Sequence, residues 1–362
     1  MLVLLSKHKL KLIIFLLALF AIISLVTVSD SVRSGEAGQK SLEYKGAVLA
    51  HIHKIGNGYG SWPSKAMHSH LQGVGYDTVQ LNTFAYMRSR KETEVLLGHD
   101  PTMAEQFMVA EIKSLHKSGF KVMLKPHIWI GGHNLDSSNW RNKIDFEDSE
   151  KRKEWFSSYG KFIISEAELA QKTGVEIFVI GTELVGMCKY TKEWKGLIGE
   201  IRERYSGKLT YAAEGMNAGN IGFWDALDYI GIDAYFSLSE KNNPTLKELV
   251  SGWKKIEPEI RELSEKHDKK VIFTEIGYKS VEGATIKPWE WNKNGKASQE
   301  EQALAFEATS LVFSNKPYLA GVFVWKYFTD MDSYERGNNL KGFTPYGKKA
   351  EGVLSKWFGS QE

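Results

Sequence analysis

Ile177-Phe178-Val179-Ile180-Gly181-Thr182-Glu183 and Val271-Ile272-Phe273-Thr274-Glu275 are short apolar, β-branched runs, each ending at a glutamate. A run of this length without polar alternation reads as a parallel strand buried on both faces. Runs of the same kind recur along the chain and predict strands at Ala47–His51, Thr78–Asn82, Lys121–Lys125 and Glu176–Gly181. Four more follow at Lys208–Ala212, Tyr229–Asp233, Val271–Glu275 and Gly321–Trp325. Between them lie stretches of helical period. Met108, Ile112 and Leu115 repeat at i, i+4 and i+7 before Gly119, and Phe162, Ile163, Glu166 and Leu169 share a helix closed by Gly174. Strand, helix, strand repeated eight times predicts an α/β chain folded as a (β/α)8 TIM barrel. The runner-up is an open doubly wound sheet. It lacks its phosphate loop, because Gly56-Asn57-Gly58-Tyr59-Gly60 after the first strand has no GxGxxG spacing.

Outward from the barrel, the chain of 362 residues divides into three. Lys7, Lys9 and Lys11 precede an apolar run from Leu12 to Val28, so residues 1–30 read as a signal peptide or a retained N-terminal membrane anchor. Residues 31–44 are polar and aperiodic, a linker, and 45–362 form the barrel domain. Both readings of the first segment predict an exported protein, periplasmic or extracellular, touching the membrane only through that segment. The chain carries a net +3, about +1 once Lys7, Lys9, Lys11 and Asp30 are set aside. That is too little basic charge for nucleic acid to be the partner. With one cysteine, Cys188, no intramolecular disulfide can form.

On a barrel of this kind the chemistry sits at the carboxyl ends of the strands. There the sequence places His51 and His53, Asn82, Lys125 with His127 and Trp129, Thr182-Glu183, Glu214 and Asn217, Asp233 and Tyr235, Thr274-Glu275, and Trp325. A carboxylate at the end of a buried strand costs several kcal/mol of lost hydration unless it is paired. Two of them, on strands lying roughly across the barrel, match the pair of carboxyls that glycosidic cleavage requires. Retaining enzymes hold such a pair about 5–5.5 Å apart. One glutamate alone reads equally well as a helix cap or a partner for a lysine such as Lys125; the pair is the signal.

The strings Val179-Ile-Gly-Thr-Glu-Leu184, Trp224-Asp-Ala-Leu-Asp-Tyr-Ile-Gly-Ile-Asp-Ala-Tyr235, Phe273-Thr-Glu-Ile-Gly-Tyr278 and Gly321-Val-Phe-Val-Trp325 resemble the clan A glycoside hydrolases, and family 113 most of all. That family is known for β-mannanases that cut β-1,4-mannosidic bonds with retention; no cofactor or metal is expected here. The resemblance implies Glu183 as acid/base, Glu275 as nucleophile and Trp325 as the aromatic floor under the sugar. It departs at Thr182, where most clan A enzymes carry an Asn that bonds the sugar 2-hydroxyl. The expected partner is a polysaccharide or oligosaccharide.

Tyr235 reads equally well as a donor to Glu275 that keeps it ionised and as an aromatic packed at the barrel mouth. His127 and Asn82 are candidates for sugar hydroxyls, as are Thr182 and Asn217, with Trp129 and Trp62 for outer subsites. Trp289 and Trp291 are candidates for a cleft wall, and Glu214 reads as a salt-bridged structural residue or, second, as a member of the charge network. Two other functions stay open. His51-x-His53 is the pair that metal-dependent barrel hydrolases use to hold zinc, although the histidines expected after strands 5 and 6 are replaced by Glu214 and Asp233. A non-catalytic carbohydrate-binding barrel would keep the aromatic residues and tolerate loss of one glutamate.

Overall fold

The computed structural model describes residues 42–98, 100–131, 140–290, 294–332 and 339–359. The apolar run Leu12–Val28 and Trp291 lie outside them. Among the described residues, no helix is long and apolar enough to cross a membrane.

Eight parallel strands close into a barrel: β1 Tyr44–Ala50, β2 Thr78–Met87, β3 Lys121–Ile130, β4 Ile177–Thr182, β5 Lys208–Glu214, β6 Ile230–Asp233, β7 Val271–Ile276 and β8 Leu319–Phe328. Each strand pairs with its sequence neighbours, and β1 pairs with both β2 and β8, which removes every free edge. A two-residue strand, Leu96–Leu97, adds antiparallel to β2 at Ala85 and Tyr86. β1 starts at Tyr44, one residue before the expected domain boundary, because that ring closes the bottom of the barrel against Tyr229, hydroxyl to hydroxyl at 3.1 Å.

The outer helices are α1 Trp62–Val74, α2 Glu105–Lys117, α3 Ser149–Thr173, α4 Thr191–Arg202, α5 Leu246–His267, α6 Gln299–Phe313 and α7 Lys349–Phe358. Local chemistry sets their ends. Asp148 caps α3 by accepting from the Lys151 amide, and Gly174 stops it at φ 76°. Thr245 and Glu248 form a reciprocal capping box on α5. The expected eightfold alternation breaks once. β5 and β6 are joined by two short 3-10 turns, Gly215–Asn220 and Trp224–Ala226, with no α-helix between them. Gly215, Gly219 and Gly222 deny this segment a helical face, and Phe223 and Trp224 fill the space instead, with the Trp224 indole bonded to the Ala218 carbonyl at 2.9 Å.

The barrel interior has its own small core of Tyr44, Val48, Met123, Ile177, Val179, Ala212, Tyr229, Ile272, Ala320 and Phe323, with Trp325 packed on top. The larger core lies between the outer strand faces and the helices. Inside, packing is tight enough to dictate glycine: a Cβ on Gly46 would sit 2.2 Å from the Phe323 ring.

Candidate active site

Glu275, near the end of β7, is buried in a cluster of polar groups. Its Oε1 accepts from Lys125 Nζ at 2.6 Å, and its Oε2 accepts from the Tyr235 hydroxyl at 2.9 Å. Lys125, on β3 and fully buried, also donates to Asp233 Oδ1 at 2.6 Å, and the Thr274 hydroxyl donates to the same oxygen at 2.8 Å. Burial alone would strip Lys125 of its proton; Asp233 and Glu275 overcome it and hold the ammonium above its ordinary range. Burial, and then the charge of Glu275, push the Asp233 carboxyl well above the usual carboxylate range, against the pull of Lys125. The same two causes keep the Tyr235 phenol protonated, and so a donor.

Glu183 follows the last residue of β4 and has a different setting. Its backbone takes φ 52°, in the left-handed region that a residue with a side chain rarely adopts. Its amide still reaches the Ala212 carbonyl at 2.9 Å, and the next amide, of Leu184, donates to the Tyr211 hydroxyl at 2.7 Å. The Cys188 thiol donates to that same hydroxyl at 3.2 Å, and burial pushes it up to about 12. Glu183 Oε2 accepts from the Trp140 indole at 3.1 Å and from Arg141 at 3.0 Å. Burial raises this carboxyl above its ordinary range. Arg141 opposes the shift, while the negative charges of Glu275 and Glu214 add to it.

Two carboxyls, one just after β4 and one near the end of β7, lie buried at the carboxyl ends of their strands, close enough for the charge of one to act on the other. Compared by family, residues 55–348 match the model of glycoside hydrolase family 113. The chain belongs to glycoside hydrolase family 113. Among solved structures it is similar to the family 113 β-mannanase AaManA from Alicyclobacillus acidocaldarius in complex with ManMIm, at 25% identity over 88% of this chain and 97% of that one, with a TM-score of 0.76. It is also similar to a family 113 β-1,4-mannanase, at 24% identity over 88% of this chain and 100% of that one, with a TM-score of 0.78. The fold extends to a Ruminococcus gnavus β-glucuronidase, at 16% identity over 88% of this chain and 50% of that one, with a TM-score of 0.55. Compared by sequence with curated proteins, the chain has no match.

The other predicted residues of this glycoside hydrolase distribute unevenly. His127 is buried with its Nε2 3.9 Å from Glu275 Oε1 and, among the described residues, without a hydrogen-bond partner. Burial, then Arg141, Lys125 and Lys326, keep it neutral by lowering it well below the usual histidine range. Asn82 is buried, its side-chain oxygen held by Gln80 at 3.0 Å. Thr182 donates to the Pro126 carbonyl at 3.1 Å. Trp129 packs edge-on against Trp140, ring centres 6.4 Å apart. Asn217 lies on the turn after β5, and no hydrogen bond joins it to either glutamate among the described residues. Trp62 and Trp289 are 80% and 52% exposed, rim residues rather than lining. Glu214 is not salt-bridged among the described residues; it accepts from Asn142 at 2.9 Å, and its charge acts on Glu183.

Sequence reading missed Trp140 and Arg141, which arrive on a short turn beyond β3, and it gave Asp233 no part in the site. The metal-site reading of His51 and His53 also changes. With Asp100 their ligand atoms lie within 4.8 Å of one another, a spacing that invites a metal. The donors are already engaged, however. His51 Nδ1 accepts from the Tyr59 amide at 3.0 Å, which puts the ring proton on Nε2, facing the Thr102 hydroxyl at 2.9 Å. Thr102 donates to Asp100 Oδ1 at 2.6 Å, and His53 meets Asp100 Oδ2 at 2.5 Å. The group is a hydrogen-bonded clasp between the end of β1 and the turn at Asp100, and a metal would have to break it.

Proposed function

We propose that this glycoside hydrolase is a retaining endo-β-1,4-mannanase in which Glu275 is the nucleophile and Glu183 the acid/base. The observation that carries the assignment is the asymmetry between the two carboxyls. Glu275 accepts hydrogen bonds on both oxygens, one of them from an ammonium. Glu183 holds its proton to higher pH through burial and the neighbouring negative charges. In the first step Glu275 attacks the anomeric carbon as Glu183 protonates the departing oxygen. In the second, Glu183 takes a proton from water, which attacks the anomeric carbon and releases Glu275.

Trp325, stacked on the interior core, supplies the platform for the sugar. Thr182 is turned to a backbone carbonyl, so we assign the polar contact to the sugar 2-hydroxyl to His127, whose unpartnered Nε2 sits beside Glu275. Asn82, Trp129 and Asn217 remain candidates for weaker sugar contacts. Export through the N-terminal segment fits a polysaccharide met outside the cell.

The test is a panel of mannan, glucomannan, xylan and β-glucan with wild type and Glu275→Ala side by side. The expected outcome is reducing-end release from mannan, lost by about 10⁴-fold or more in the variant. Azide should partly restore Glu183→Ala on activated aryl glycosides. Product of inverted anomeric configuration by NMR would end the retaining assignment.

A further inference from the structure

Among the described residues, one basic side chain at the site forms no ion pair with its carboxylates. Lys125 is shared by Asp233 and Glu275, and Arg141 is held by Glu183. Lys326 directly follows the platform residue Trp325, is half-buried, and forms no ion pair among the described residues. Its ammonium lies 4.4 Å from the Trp325 ring centre and 5.1 Å from that of Phe328. Its charge helps to lower His127, and the charge of Glu275 acts on it in turn. A lysine normally carries its head to water or to a carboxylate. This one is half-buried and rests on the face of the aromatic floor, attracted there by the ring quadrupole.

The local charge balance makes the position meaningful. Three basic side chains, Lys125, Arg141 and Lys326, stand among the carboxyl groups here, and of the three only Lys326 is in no ion pair among the described residues. No ion pair has to be broken to free Lys326 for a ligand. Swinging off the ring toward a substituent above it costs one cation–π contact and gains a charge-assisted hydrogen bond, which is the stronger of the two when desolvated.

We propose that Lys326 recognises a carboxylate on the sugar seated over Trp325, so that the preferred substrate is a β-linked chain containing uronic acid residues. This rests on the cleft being the glycosidase site and refines which polysaccharide enters it.

The experiment compares two β-1,4 oligosaccharide sets of equal length, one neutral manno-oligosaccharides, the other carrying uronic acid residues, with a phosphorylated mannan as a third arm. kcat/KM is measured for wild type, Lys326→Met, Lys326→Gln and Lys326→Arg, each with its thermal melt. The expected result is a wild-type preference for the uronic set. That ratio should fall about ten- to a hundredfold in Lys326→Met and Lys326→Gln and be largely restored in Lys326→Arg. Added salt should lower the ratio in wild type but not in Lys326→Met. An unchanged ratio in both neutral variants overturns the proposal, as does a preference for the phosphorylated chain. Turnover of the neutral set alone overturns this inference and leaves the glycosidase reading standing; turnover of neither set removes both.

Discussion

In the lower layers of the barrel, Tyr44, Val48, Met123, Ile177, Val179, Ala212, Ile272 and Phe323 meet by shape alone, whereas at the carboxyl end Lys125, Asp233 and Glu275 meet by charge. The two layers share the same strands. The first is stabilised by removing apolar surface from water and tolerates little change in volume. The second is stabilised only as long as every charge has its counterpart, because a bare carboxylate in that position keeps its full desolvation cost. The lower layer builds the barrel; the upper one is built on it at a cost in stability, and the proposed chemistry is there.

The comparison breaks most visibly at Lys125. Lys125→Met removes the shared counter-ion of two buried carboxylates and should destabilise the fold by about 3–5 kcal/mol, read by urea denaturation. The loss should shrink in acid, where Asp233, its carboxyl raised by burial and by Glu275, takes up a proton and leaves a single charge bare. A variant as stable as wild type would mean that pairing is not what holds the upper layer.

Gly46→Ala is the matching challenge to the lower layer. The new methyl would lie 2.2 Å from the Phe323 ring, so a loss of about 1–3 kcal/mol is expected in thermal or urea unfolding, with kcat of the folded fraction little changed. A kinetic effect larger than the stability effect would show that the two layers are mechanically coupled.

The smallest expected effect is a titration. Glu214→Gln removes one of the negative charges that raise Glu183, so the Glu183 carboxyl falls toward its ordinary range. Activity requiring protonated Glu183 is lost as pH rises through that carboxyl's pKa. The alkaline limb of kcat/KM should therefore move to lower pH. A limb that stays in place would separate Glu214 from the acid/base.

What could be read before folding follows the same division. All eight strands were legible, because a strand buried on both faces must be apolar along its length and a polar residue at its end then stands out. Glu183 and Glu275 stood out for this reason. Their partners were not legible to the same degree. Trp140 and Arg141 belong to a turn with no period of its own, and only the closed barrel brings them to Glu183. Lys125 was visible as a candidate structural partner for a glutamate, but that one ammonium would serve both Asp233 and Glu275 is a fact of three dimensions. The bend that aims Glu183 inward was hidden as well, since a positive φ is usually announced by glycine or asparagine and here occurs at a glutamate. The missing helix between β5 and β6 was foreshadowed by three glycines whose spacing breaks any helical face.

The single sulfhydryl of the chain lies five residues past Glu183 and shares the Tyr211 hydroxyl with the amide that follows this glutamate. Closed, it is shielded and almost wholly un-ionised; any excursion that loosens the segment after β4 bares it. The enzyme thus carries its own chemical clock: the rate at which a thiol reagent marks Cys188 times the opening of the ground beneath the proposed proton donor, with no foreign label introduced.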